Sequence, residues 1–191
     1  MPESSKVYFA TSNVHKFQEA SIALREFGMR VLRLPSKGTE VQSDDVSEIA
    51  RLAAASAFKA YHRPLIVEDT RLSISALGGF PGAYGSYVYR TIGLNGVLRL
   101  MNSAKNRAAE FVSAVAYCDG TDQPTVFVGS LKGEIARVSR GVEGFGFDPI
   151  FIPEGRKETL AELPIAAKCR ISHRSAALRE FASWATTRAS G

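Results

Sequence analysis

Leu65-Ile66-Val67 is a short apolar run that stops against two adjacent carboxylates, Glu68 and Asp69, and then Thr70. Leu77-Gly78-Gly79-Phe80-Pro81-Gly82 follows within a few residues. That order reads as a buried strand delivering acid to a rim, and in open α/β sheets the ligand crevice lies outside the carboxyl ends of the strands. Glu68 and Asp69 then stand where a metal ion or a reacting water can meet them. The same residues also read as a plain strand-terminal turn, so the rest of the chain has to decide.

The segments around this run alternate. Val7-Tyr8-Phe9-Ala10 is strand-like, and a helix follows in which Phe17, Ala20, Leu24 and Phe27 recur at helical spacing before Gly28 stops it. Val31 to Leu34 supplies a second strand, and Pro35 to Val46 a polar loop carrying Glu40, Asp44 and Asp45. Ser47 is placed to cap a helix whose inward face is Ile49, Leu52, Ala53, Ser56 and Ala60. This β-α-β-loop-α-β order predicts parallel pairing in at least part of a sheet. Further on, Leu94 to Met101 reads as a short helix, Phe111 to Tyr117 and Thr125 to Leu131 as an antiparallel hairpin, and Ser175 to Thr186 as a closing helix with Ala177, Phe181 and Trp184 inward. The expectation is an α/β fold: a mixed twisted sheet with flanking helices, in two lobes around a central cleft. With no repeat or linker, residues 1–191 are read as a single domain.

A chain of 191 residues buries roughly 70% of its unfolded surface and needs no staple. Cys118 and Cys169 lack metal-ligand spacing, which favours packing roles and a reducing compartment over a disulfide scaffold. Neither a signal-like apolar region nor a membrane-length run occurs, so the expectation is a cytoplasmic protein without a membrane partner. The net charge of +5 fits an anionic ligand. Lys and Arg are scattered, with no nucleic-acid-binding motif among them, which argues against a dedicated nucleic-acid binder and leaves a small polyphosphate.

Three further loops share that anionic theme. Thr11-Ser12-Asn13-Val14-His15-Lys16 lies where a strand passes into a helix, so free backbone N–H groups and the helix dipole favour a phosphate, with Lys16 adding full charge. Simple capping by Asn13 is the alternative reading. Lys168-Cys169-Arg170-Ile171-Ser172-His173-Arg174 gathers cations just before the last helix, where they oppose the dipole unless an anion is near. Gly144-Phe145-Gly146-Phe147-Asp148-Pro149 joins flexible backbone, two aromatic faces and an acid, suited to stacking a flat base, or else to a turn whose phenylalanines are core.

Taken in order, Thr11-Ser12-Asn13 with Lys16, Glu68-Asp69-Thr70, Leu77 to Gly82, Gly144 to Pro149 and Ser172-His173-Arg174 resemble the inosine triphosphate pyrophosphatase family over nearly the whole chain. Ser86-Tyr87-Val88-Tyr89-Arg90-Thr91-Ile92-Gly93-Leu94 resembles its archaeal branch. The resemblance implies a magnesium-dependent hydrolase that cuts ITP, dITP or XTP between the α and β phosphorus atoms, releasing monophosphate and pyrophosphate, and that acts as a homodimer. It implies that Thr11, Ser12, Asn13, Val14, His15 and Lys16 cradle the triphosphate, and that Glu40 and Asp69 hold Mg2+. It further implies that Asp69 accepts the proton of the attacking water, that Thr70 touches substrate, and that Phe145, Gly146, Phe147, Asp148, Lys168, His173 and Arg174 enclose base and nucleotide. Three positions differ from the family's common pattern: Ser12 stands where glycine is frequent, Leu52 stands at about the position of a substrate-contacting helix lysine, with Arg51 adjacent but roughly 100° around the helix, and Phe147 replaces a frequent tyrosine or tryptophan. Alternative readings are a pyrophosphatase for modified pyrimidine or methylated nucleotides, and a non-catalytic binding module.

Overall fold

The computed structural model describes residues 5–35, 43–120 and 123–189. Among these, seven strands form one mixed sheet: β1 (Lys6–Ala10), β2 (Arg30–Leu34), β3 (Leu65–Ile74), β4 (Pro81–Gly82), β5 (Ala108–Cys118), β6 (Thr125–Ile135) and β7 (Phe151–Pro153). Six helices accompany them: α1 (Val14–Arg25), α2 (Val46–Tyr61), α3 (Gly85–Thr91), α4 (Gly93–Leu100), α5 (Ile165–Ile171) and α6 (His173–Ala189).

The strand order is β2-β1-β3-β5-β6-β7, with β4 on β3. β1 pairs in parallel with β2 on one side and with β3 on the other, while β3/β5, β5/β6 and β6/β7 are antiparallel. The chain therefore leaves β1 toward β2 and returns across β1 to β3, which makes the β1/β3 boundary a topological switch point, the usual place for a crevice. β1 meets β3 at Phe9 and Ile66. Glu68 and Asp69 lie just beyond, where β3 has lost its parallel neighbour.

The expected architecture is borne out, and several local expectations change. The acids do not end β3: Thr70-Arg71-Leu72-Ser73-Ile74 keeps alternating and stays paired to β5. β5 and β6 run longer than expected, because their ends cross into the second lobe. Asp45, not Ser47, caps α2, its carboxylate accepting from the Ser47 amide. The buried face of α2 is Val46, Ile49, Ala50, Ala53, Ala54 and Ala57, which leaves Leu52, Ser56 and Ala60 exposed. α3 and α5 are additional helices; Lys168 and Arg170 ride on α5, and α6 begins at His173, earlier than the spacing of Ala177, Phe181 and Trp184 suggested.

Three apolar clusters hold these layers. One packs α1 and α6 on one face of the sheet through Phe9, Leu24, Ile66, Val115 and Phe181. A second, rich in alanine, seats α2 on the opposite face against Val67, Val112 and Ala116. The third is the core of the other lobe, with Leu72, Ile74, Val97, Phe111, Phe147, Ile150 and Phe151. The cleft opens where the first lobe hands over to the third cluster, midway along β3.

Candidate active site

α1 begins with Asn13 in extended backbone, its side chain accepting from the His15 and Lys16 amides. Thr11 Oγ1 accepts from the Asn13 amide. Three N–H groups of this loop are thus paired internally, so the expectation of a ready-made cradle of free amides gives way to a capped helix start whose donors a phosphate would have to share. What the loop does project is Lys16: its Nζ lies 2.9 Å from Glu68 Oε2 and 3.9 Å from Asp69 Oδ1, and donates to the Glu68 carbonyl.

Successive residues of a strand face opposite sides of the sheet. Glu68 and Thr70 therefore share the α6 side, while Asp69 turns away from it. Glu68 is buried, with Ser113 Oγ donating to it at 2.6 Å, Thr70 Oγ1 donating as well, and Arg174 Nε 3.2 Å away. Burial works against its charge, but Arg174 and Lys16 win and hold the carboxyl far below its usual range. Asp69 has the opposite balance. Burial raises its pKa above the ordinary carboxylate value and Glu68 adds to the rise, with Lys16 pulling back. Its side chain keeps 30% exposure toward the cleft. Glu68 is thus a fixed counter-ion, while Asp69 keeps an open edge on the cleft with Lys16 at its other side.

Behind them lies a second buried charge cluster. Arg174, in the first turn of α6, donates to Glu19 Oε2 at 2.6 Å and to Thr70 Oγ1 at 3.2 Å. Lys168 donates to Glu19 Oε1 at 2.6 Å and to Asp148. Burial disfavours Arg174's charge, but Glu68 and Glu19 keep it a guanidinium with its pKa raised. The cations that would oppose the α6 dipole are thereby answered by carboxylates. Asp148 has a raised pKa from burial, with Lys168 opposing it, and its Oδ2 also accepts from the Phe145 amide at 2.8 Å. That contact passes over Gly144, where a Cβ would meet Asp148 Oδ2 at 2.2 Å and whose φ is +74. No other residue fits there.

His173 is fully buried and stacked on Phe111, with ring centroids 4.5 Å apart and planes 9° apart. Neither ring nitrogen has a partner. Burial, then Arg174, pushes its pKa well below the usual histidine value, so it stands as a neutral ring with one donor and one acceptor. Phe145 stacks on His15 at 5.1 Å, and Lys168 and Arg174 lie 4.8 and 5.3 Å from its centroid.

These groups surround a cleft of about 560 Å³ lined by Asn13, His15, Lys16, Asp69, Thr70, Phe145, Gly146, Phe147, Asp148, His173 and Arg174, with Tyr89 and Ser86 of α3 opposite. A smaller hollow of about 280 Å³ continues past Phe145 and is lined by Glu19 and Lys168. Thr11, Ser12 and Val14 do not line the cleft; Thr11 acts through its cap, and Val14 is exposed. Phe147 lines the cleft but is a core residue, buried and edge-on to Tyr89. Glu40 lies outside the described residues, and among those described no cluster of three or more metal-type ligands occurs. A larger hollow, about 830 Å³, lies elsewhere, between the β5 start and β7; its lining mixes Lys105, Lys132 and Arg156 with Glu110, Glu134 and Glu154.

A family model described as the Ham1 family matches residues 7–184 of the chain. The protein belongs to the Ham1 family. It is 49% identical over 179 residues to the dITP/XTP pyrophosphatase of Methanopyrus kandleri, covering 94% of this chain and 95% of that one. With the dITP/XTP pyrophosphatase of Ignicoccus hospitalis it shares 49% over 180 residues, covering 94% and 96%. A solved HAM1 protein from Coxiella burnetii superposes with a TM-score of 0.83 at 29% identity, over 96% of this chain and 99% of that one.

Two parts of this Ham1-family site were not assigned from sequence. Glu19 bridges Lys168 and Arg174, and Ser113 tethers Glu68. Glu19 carried a signal: it sits three residues after Lys16 and four before Ala23, on the stripe that α1 buries. Ser113 carried none beyond being polar in an apolar strand.

Proposed function

We propose that the chain is a nucleoside triphosphate pyrophosphatase that hydrolyses dITP, XTP and ITP to the monophosphate and pyrophosphate, and so clears these purines from the nucleotide pool. The observation that carries this reading is Asp69: a carboxylate with a raised pKa, facing the cleft at the switch point, beside acids that are each tied to a cation. The names of the archaeal relatives supply the substrate class.

The donor set fits magnesium. Lys16, Lys168 and Arg174 face Glu19, Glu68, Asp69 and Asp148, so these residues alone offer a triphosphate no excess of positive charge. A divalent cation supplies that charge and acidifies a water it coordinates, needing few protein ligands because phosphate and water complete its shell. Asp69 would hold it, with Glu40 by family resemblance. Lys16 then meets the phosphates from the α1 end, and Asp69 orients or accepts the proton of the attacking water. Its pKa, raised toward the working range, suits a base better than that of Glu68.

Base selection belongs to the other end. His173 offers a buried donor and acceptor without partners, and Arg174 is fixed beside it. A 6-oxo purine gives these donors an acceptor, whereas adenine presents an amino group and leaves them unpaired, a mismatch that discriminates strongly. Guanine shares the 6-oxo group, so its rejection falls on the 2-amino group. A purine stacked on Phe145 takes the place of the His15 ring.

The test is product analysis for ITP, dITP, XTP, GTP and ATP with magnesium and with chelator. Metal-dependent formation of IMP, dIMP and XMP plus pyrophosphate, with ATP and GTP nearly untouched, is the expected result. Diphosphate plus orthophosphate would refute the phosphate placement, and turnover of modified pyrimidine triphosphates alone would move the activity to another base. A homodimer and a cytoplasmic location are part of the same reading. Exposed Tyr84, Tyr87 and Ile92 around α3 offer an apolar face for a second copy, and no described helix is long and apolar enough to cross a membrane. Sedimentation as a monomer at micromolar concentration would remove the dimer.

A further inference from the structure

Thr70, Ser113 and Gly129 stand directly opposite one another across β3, β5 and β6. Directly opposed residues point to the same face, here the α6 face. Two members of the row bear on Arg174 through hydrogen bonds. Thr70 Oγ1 accepts from Arg174 Nη2, and Ser113 Oγ donates to Glu68, the carboxylate beside Arg174 Nε. The third member is a glycine against which the α6 main chain lies.

Gly129 is buried, and its φ is outside the left-handed region, so the backbone does not demand glycine. Space does. A Cβ at this position would meet the His173 carbonyl oxygen at 2.3 Å, the Ala177 nitrogen at 2.4 Å and the Ala176 Cβ at 2.8 Å. Two of those atoms are helix backbone and cannot swing aside as a side chain could. Relieving the closest contact to the 3.0 Å floor of real Cβ contacts moves the first turn of α6 by ~0.7 Å. That turn carries His173 and Arg174.

We infer that Gly129 is a positioning residue for base recognition: the missing side chain lets the first turn of α6 sit on β6, and that seat places His173 and Arg174. It acts from 44 to 45 positions away in sequence and touches neither the cleft nor the ligand. The phosphate end, Lys16 and Asp69, is built on α1 and β3 and meets the first turn of α6 through Glu68, which Lys16 and Arg174 share, and Thr70. Gly129 therefore bears directly on selectivity for the base and only at second hand, through Glu68 and Thr70, on the attack on phosphorus.

The kinetic arm of the test rests on the reading of the cleft proposed above; a spectroscopic arm does not. Gly129→Ala is compared with wild type on XTP, ATP and ribose 5-triphosphate, which has the phosphates and no base. The expected result is a 10- to 100-fold fall in the ratio of kcat/KM for XTP to that for ATP, of the order that ~1 Å misplacements produce, with a smaller fall on ribose 5-triphosphate than on XTP. In the same samples the His173 ring protons, one set among three histidines and shifted by the stacked Phe111, are expected to move in the NMR spectrum. Ala176→Val wedges the same contact from a half-exposed position; it carries the test should Gly129→Ala not fold, and is expected to shift ratio and resonance the same way by less. Val128→Ala, on the opposite face, should change neither. An unchanged ratio with unmoved His173 signals would overturn the inference, as would an equal loss on all three substrates, which marks general damage. If wild type fails to hydrolyse XTP, the functional reading falls, and the His173 signals alone decide whether Gly129 seats α6.

Discussion

At the scale of single residues, the site is a set of buried charges whose partners are fixed, with Asp69 at the open edge and both ring nitrogens of His173 without a partner. Glu19 holds two cations, and removing one partner of a buried pair leaves the others uncompensated at a cost of about 3–5 kcal/mol. Glu19→Gln is therefore expected to lower unfolding free energy by about 3 kcal/mol at neutral pH. Burial alone would raise the Glu19 pKa, but Arg174 and Lys168 bring it below the usual 4.5. A depressed carboxylate stabilises fully above its unfolded pKa and loses that contribution as pH falls through the folded one. The gap between wild type and Glu19→Gln in urea titrations should accordingly narrow below pH 4.5; a gap independent of pH would show that Glu19 acts by packing. His173 gives the opposite trade. Its orphaned nitrogens cost about 1–3 kcal/mol, so His173→Leu is expected to raise the melting temperature while kcat/KM for XTP falls at least about tenfold. Asp69, Lys16, Phe145 and Arg174 stood out in the sequence because each adds charge or an aromatic face at a strand end, helix start or glycine-rich turn, and the structure brings all four to one cleft. The tethering of Glu68 and the contacts of Glu19 did not stand out, since Ser113 comes to Glu68 from 45 positions away and the partners of Glu19 from 149 and 155.

At the scale of elements, α2 shows what periodicity reads well and badly. Its existence was plain, but its inward face was set by alanines packing close against β3 and β5, not by Leu52, which is 44% exposed. Leu52→Lys should change stability by less than about 0.5 kcal/mol, whereas Ala54→Leu, forced between helix and sheet, should cost about 1–3 kcal/mol. Equal effects in denaturant titrations would mean the helix is rotated. α3 and α5 escaped detection because seven residues hold too few turns to show a period. β3 was read too short for a physical reason: its alternation resumes after the acids, where it starts to serve the second lobe.

At the scale of the whole molecule, β3, β5 and β6 run unbroken through both lobes, so the halves share a sheet and neither can open without fraying the other. A single cooperative unfolding transition by both fluorescence and circular dichroism is expected; two separated transitions would mean that the lobes are independent. The α/β class, the mixed pairing and the cleft were readable from the order of strands and helices, while the switch point became visible only with the strand order in hand. That switch point is where Asp69 stands. The most direct measurement is single-turnover hydrolysis of saturating magnesium–XTP by Asp69→Asn beside wild type, with unfolding midpoints taken on the same samples. A fall of about 10²–10⁴-fold in rate with the fold intact is expected for loss of a general base; undiminished turnover by a folded variant would place the chemistry elsewhere.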